Sequence, residues 1–173
     1  MNLVIGFGPF IIFALLSRLS PDLALWAAFA TAFVVTIRDF VERPVLRLLD
    51  MVSLVLFGAL ALWRGFMDQG LSLEALRTIV DAGLTLAILV SLLLKRPFSV
   101  QYAGRTGWSE KQFLRVNFVI SFVWFLAFAA MALADALVTF WGQPLWLGIG
   151  VSIAAFALSI LVTLRYPDSV KRI

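Results

Sequence analysis

The chain has 173 residues, 62% of them hydrophobic and 14% charged, with 14 Lys and Arg against 10 Asp and Glu. Soluble domains are about 45–50% apolar and about 25% charged, so no soluble core of this length absorbs the excess; recurring apolar runs of near-membrane length predict an all-α polytopic membrane protein instead. With no Cys and no His, disulfides, thiolate and imidazole catalysis, zinc sites and the usual haem ligands are excluded, and the net charge of +4 belongs to loop topology rather than to nucleic acid.

Six spans are expected, forming one integral membrane domain over residues 1–173. The first runs from about Leu3 to Leu19, with Pro9 inside it. Only Asn2 and the α-amino group precede that run and no A-x-A site follows, so it is expected to be retained rather than cleaved as a signal peptide. Ser20-Pro21-Asp22 is a helix start, with Ser as N-cap, Pro at the first helical position and an acid at the positive dipole end; the second span follows from about Asp22 to Arg38. The third covers about Val45 to Phe66 and the fourth about Ser72 to Leu94, with Ser72 as N-cap and Pro97 as stop. Ser109-Glu110-Lys111-Gln112 fits a capping box and opens a fifth span that reaches Trp141. At about 45 Å it outruns a hydrocarbon core of about 30 Å. After the Gly142-Gln143-Pro144 turn, the sixth span extends from about Leu145 to Tyr166.

Loop charges orient these spans. The connection from Arg38 to Arg47 holds three Arg, that from Lys95 to Arg115 five basic residues, and the C-terminal end Arg165, Lys171 and Arg172, eleven in all. The other side holds Arg18, Arg64 and Arg77. Eleven against three predicts both termini in the cytoplasm. Trp63, Trp141 and Trp146 then fall at the outer ends, and Tyr102, Trp108 and Tyr166 at the inner ends, as aromatic belts. A faint internal repeat is also present. The segments beginning at Glu42 and Glu110 agree at eight of 21 positions at a shift of 68, and LKRPFSV aligns with LRYPDSV at a shift of 70. Tandem two-helix hairpin repeats and chance within a small apolar alphabet both account for this.

The fifth span carries the clearest pattern. Asn117, Ser121, Trp124, Phe128, Met131 and Asp135 follow steps of four, three, four, three and four, which at roughly 100° per residue places them on one face. A stripe with an amide, a hydroxyl, an indole and a carboxylate faces other helices or a wet cavity, not lipid. On the fourth span Arg77, Asp81, Thr85, Ile88, Ser91 and Lys95 share an arc, and on the sixth Gly148, Ser152, Ser159, Thr163 and Tyr166 do so more weakly. Asp81, about two turns into its span, is either a proton or cation site or the partner of Arg77 at i−4. Asp135 is expected to snorkel to the outer headgroups. Asp50 and Arg47 are expected to pair at the inner surface with Glu42, Glu110 or lipid phosphate. Asp81, Arg77, Thr85, Asn117, Ser121 and Asp135 are therefore the ligand or ion candidates, with one cavity lined by Asp81, Thr85, Asn117 and Ser121 as the sharpest form of that reading.

The loop KRPFSVQYAGRTGWSEK is basic and aromatic, and Lys95, Arg96, Tyr102, Arg105 and Trp108 are candidates for contact with anionic headgroups or a partner protein. Small-residue ridges at Ala24/Ala28/Ala32, Ala130/Ala134 and Gly150/Ala154 allow close helix approach within one chain or between copies in a homo-oligomer. No Walker A loop, no G-x-S-x-G elbow and no metal-ligand cluster is present, so no catalytic residue, metal or cofactor is expected.

The GPFIIF start with Pro9, the Lys95-Arg96-Pro97 motif and the FLRVNFVISFVWFLAF span carrying Val116-Asn117 resemble the bacterial intracellular septation protein A family, also called YciB. The resemblance implies a multi-pass protein of the inner membrane, linked to cell division and envelope maintenance through envelope or division proteins, and supplies no catalytic residues. The expected function is thus non-enzymatic support of the envelope or septation through protein and lipid contacts. The alternative is a small transporter, channel or lipid-handling protein built around Asp81, and a third is an intramembrane enzyme acting on lipids.

Overall fold

A computed structural model describes residues 6–42, 47–66, 71–104 and 107–171. Among these are six α-helices and no strand: α1 (Gly8–Leu16), α2 (Pro21–Glu42), α3 (Leu48–Phe66), α4 (Leu73–Leu93), α5 (Glu110–Trp141) and α6 (Leu145–Lys171), with a 3₁₀ segment at Phe98–Tyr102 between α4 and α5. Helices α2 to α6 are long and apolar enough to cross a membrane. The chain forms two compact units, Met1–Leu76 and Arg77–Ile173.

In the first unit α2 packs on both α1 and α3. The helix expected over Leu3–Leu19 is nine residues long where described, and Pro9 lies in its first turn rather than mid-helix. A ring that locks φ and lacks an N–H suits that position. At 1.5 Å per residue these nine residues reach about 14 Å, and residues 3–5 of the expected span lie outside the described residues. Phe10 and Phe13 of α1 set their rings 5.1 and 5.4 Å from that of Phe57 on α3. Ala24, Ala28 and Ala32 are buried, so this ridge serves packing inside the chain. Gly58 admits the Phe29 ring, which a Cβ there would meet at 3.0 Å.

Helix α2 starts as expected, with Ser20 Oγ accepting the Leu23 N–H at 3.3 Å, but it runs past Arg38 to Glu42. That extension brings Asp39 inside. Asp39 is 4% exposed and is paired with both Arg38, at 2.7 Å, and Arg47. Arg47, expected to pair at the inner surface, turns its guanidinium to Asp39, and the side chain of Glu42 lies outside the described residues. Asp50 is also buried, and its Oδ1 has no hydrogen-bond partner. The far ends of α2 and α3 are tied by Asp22 and Arg64, and Arg64 Nη1 also donates to the Leu71 carbonyl at 2.8 Å.

In the second unit α5 and α6 form the principal helix pair. Ser109 caps α5 by accepting the Gln112 N–H at 3.3 Å, and left-handed Gly142 (φ 63°) closes it. Helix α6 continues through Pro167 to Lys171, beyond the expected end at Tyr166; the proline removes one helical donor without ending the helix. Gly150 and Ala154 are exposed on α6, so this small-residue ridge faces outward. The α4 terminus is a Schellman motif: Arg96 N–H reaches the Ser91 carbonyl at 2.9 Å and Lys95 N–H the Leu92 carbonyl at 2.9 Å. Lys95 occupies the left-handed position (φ 55°) that glycine usually fills.

Candidate functional site

The stripe on α5 is buried at Asn117, Ser121, Trp124, Phe128 and Asp135, as its spacing predicts. Its residues do not line one cavity. Asp135 lies eighteen residues beyond Asn117, about 27 Å along the helix, and each portion of the stripe meets a different element.

At one end the stripe is filled by the chain that follows α4. Pro97 turns that segment inward, burying Phe98, Ser99 and Tyr102. The Ser99 hydroxyl donates to Asn117 Oδ1 at 2.8 Å and to the Asn117 carbonyl at 2.9 Å. Ser99 N–H donates to Ser121 Oγ at 3.3 Å, and Ser121 Oγ lies 3.1 Å from Ser99 Oγ. Asn117 Nδ2 donates to the Phe113 carbonyl at 2.9 Å. Asn117 and Ser121 are thus satisfied by protein, which is how buried polar groups in a membrane helix are accommodated.

The surface expected for KRPFSVQYAGRTGW is corrected in the same place. Lys95 and Arg96 are exposed and Trp108 is half-buried, but Tyr102 is buried against this end of the unit rather than standing in an interfacial belt. Its ring meets that of Phe98 at a centroid distance of 6.4 Å. Arg105 lies outside the described residues. Trp63, Trp141 and Trp146 are exposed at helix ends, the disposition an aromatic belt requires.

The middle of the stripe is closed. Trp124 stacks on Phe128 at 5.7 Å and meets Phe156 edge-on at 5.2 Å. Its indole N–H donates to Thr163 Oγ1 at 3.0 Å, and that hydroxyl donates to the Ser159 carbonyl at 2.6 Å. No polar path continues through this layer among the described residues.

The other end holds the charges. Asp135 does not snorkel; it is 2% exposed and its Oδ2 lies 3.3 Å from Arg77 Nε on α4. The opposite face of the carboxylate rests on α6 at Gly148, where an added Cβ would stand 2.5 Å from Asp135 Oδ1. Arg77, 20% exposed, therefore pairs across to α5 rather than along its own helix to Asp81. Asp81 is buried within electrostatic reach of both Arg77 and Asp135. Thr85 turns back onto its own helix, donating to the Asp81 carbonyl at 2.7 Å, and so does not join the carboxylates.

The candidate residues therefore separate into a neutral seam at Ser99, Asn117 and Ser121 and a charged triad at Arg77, Asp81 and Asp135. Ser99 and Asp39 are absent from the candidates read from the sequence, and Gly148 enters there only as a member of the polar arc on the sixth span. Ser99 and Gly148 stood in plain view within motifs already noted, whereas Asp39 required α2 to extend past Arg38. No group of three or more metal-ligating side chains occurs among the described residues. Comparisons with known protein families, curated proteins and solved structures returned no match.

Proposed function

We propose that this chain is a non-enzymatic multi-pass protein of a bacterial inner membrane that supports envelope maintenance or septation through contacts with lipids and other proteins. The observation that carries this reading is the closed stripe on α5. The Ser99 seam and the Trp124–Thr163 layer use its polar groups for packing, which favours a structural role over a path for solute. The septation protein A-like motifs around Pro9, Lys95-Arg96-Pro97 and Asn117 supply the envelope context. Exposed Lys95 and Arg96 beside the buried 3₁₀ segment offer the contact surface, since each basic residue near an anionic leaflet contributes about 1 kcal/mol of attraction.

Six crossings with both termini cytoplasmic remain the topology that the eleven-to-three basic asymmetry favours. Neutralising Lys95, Arg96 and Arg105 to Gln tests the contact role. Binding to vesicles containing phosphatidylglycerol, or crosslinking yield to division and envelope proteins in cells, is expected to fall several-fold. Unchanged association in both assays would end that role for the loop.

A further inference from the structure

The triad on α4 and α5 carries two carboxylates and one guanidinium. The charges acting on Asp81 are those of Arg77 on its own helix and Asp135 on α5. Helix α6 contributes no charge here: it presents Gly148 to Asp135, and Arg165 and Asp168 lie about 25 Å and about 30 Å further along it. Arg77 Nε is engaged with Asp135 at 3.3 Å. Asp81 is more than nine-tenths buried (8% exposed) and its carboxylate makes no hydrogen bond or ion pair, the one bond near it being that of Thr85 to its backbone carbonyl. Two ionised carboxylates facing a single guanidinium in a membrane interior leave one negative charge without a counter-charge, a state that protein interiors avoid.

We propose that Arg77, Asp81 and Asp135 form a binding site for one small monovalent cation, a proton or an alkali ion, held at the second carboxylate. Arg77 neutralises one acid and positions it; the bound cation neutralises the other. Gly148 belongs to the site because only a residue without Cβ leaves room for Asp135 to lie flat against α6, which keeps it within reach of both Arg77 and Asp81. The site stands independently of the contact role, since it rests on charge and burial at the end of the stripe away from Ser99.

The test uses the full chain reconstituted in lipid nanodiscs, in choline chloride and in sodium or potassium chloride of equal ionic strength. If the cation is a proton, infrared difference spectroscopy at neutral pH shows a protonated-carboxyl signal from the triad in addition to any from Asp50. That signal is lost in Asp81→Asn and in Asp135→Asn, each of which leaves one carboxylate for one guanidinium, and it grows in Arg77→Gln. If the cation is an alkali ion, the signal is absent in the alkali salt. The thermal unfolding midpoint is then higher in alkali than in choline chloride for the wild type, and equal in the two salts for Asp81→Asn. Reading each variant as a difference from the wild type cancels the contribution of buried Asp50. A wild-type chain with neither the carboxyl signal nor an alkali-specific midpoint overturns the proposal without recourse to any variant. A signal or a midpoint shift that persists unchanged in Asp81→Asn overturns it as well.

Discussion

Each compact unit buries a cluster of charge, and the two clusters differ in their sums. In the first unit Asp39 is held by Arg38 and Arg47, with Asp50 in electrostatic reach of all three; two acids meet two guanidinium groups. In the second, Asp81 and Asp135 share Arg77. Both clusters are buried and both sit in long apolar helices, so burial does not distinguish them. The first is complete within the described residues, as structural ion pairs are. Among the described residues, the second sets two acids against one guanidinium. The contrast shows that a carboxylate in a membrane helix is informative chiefly through its local sum of charge, and that this sum depends on which partner a long Arg side chain selects.

Arg77→Gln should widen the difference most. It leaves two buried carboxylates with no guanidinium, and removal of one partner of a buried pair typically costs about 3 kcal/mol or more. The loss is read as a lowered midpoint in detergent or denaturant unfolding of the reconstituted chain. Gly148→Ala comes next: the new Cβ meets Asp135 Oδ1 at 2.5 Å, and the resulting overpacking should cost about 1–3 kcal/mol. The accompanying sign is a weakened Arg77–Asp135 pair, measurable as a smaller coupling in the double-mutant cycle of those two residues.

Ser99→Ala serves as the counterpart at the neutral end. It removes the hydroxyl that joins Asn117 and Ser121, so about 1–2 kcal/mol of stability should be lost. The salt response of the triad should stay unaltered, because the Trp124 layer lies between the two ends. The smallest effect is expected at the end of α4. Lys95→Gly relieves a left-handed residue (φ 55°) and should raise stability by up to about 1 kcal/mol, a gain visible in the same unfolding assay.

Much of the architecture was legible in the sequence because membrane helices write it in simple terms. Length of apolar run, the Ser72 and Ser109 caps, the Gly142 stop and the spacing from Asn117 to Asp135 located helices and inward faces to within a few residues. Pro9, expected inside the first span, stands in the first turn of α1; proline fits a first turn and an interior kink equally well by sequence, and only the neighbouring backbone decides. The site was half legible. Helical periodicity reports which residues share a face, but it does not report what packs on each level of that face. Antiparallel α4 and α5 bring Arg77 level with Asp135 and Ser99 level with Asn117, so one expected cavity became two unlike ends. The i−4 rule pointed Arg77 to Asp81, yet an Arg stem reaches an adjacent helix as readily as the preceding turn. Ser99 was overlooked because a basic loop after a span reads as surface, and nothing in its composition marks the turn inward at Pro97.

The most direct measurement compares the unfolding midpoints of Asp39→Asn and Asp81→Asn in the same lipid, in choline chloride and at neutral pH. Asp39→Asn strips the shared carboxylate from Arg38 and Arg47 and should lower stability by about 2 kcal/mol or more. Asp81→Asn removes the charge that lacks a partner and should cause no loss, or a gain. Equal losses in the two variants, or a larger loss for Asp81→Asn, would contradict the assignment of the first cluster as charge-complete and the second as one positive charge short.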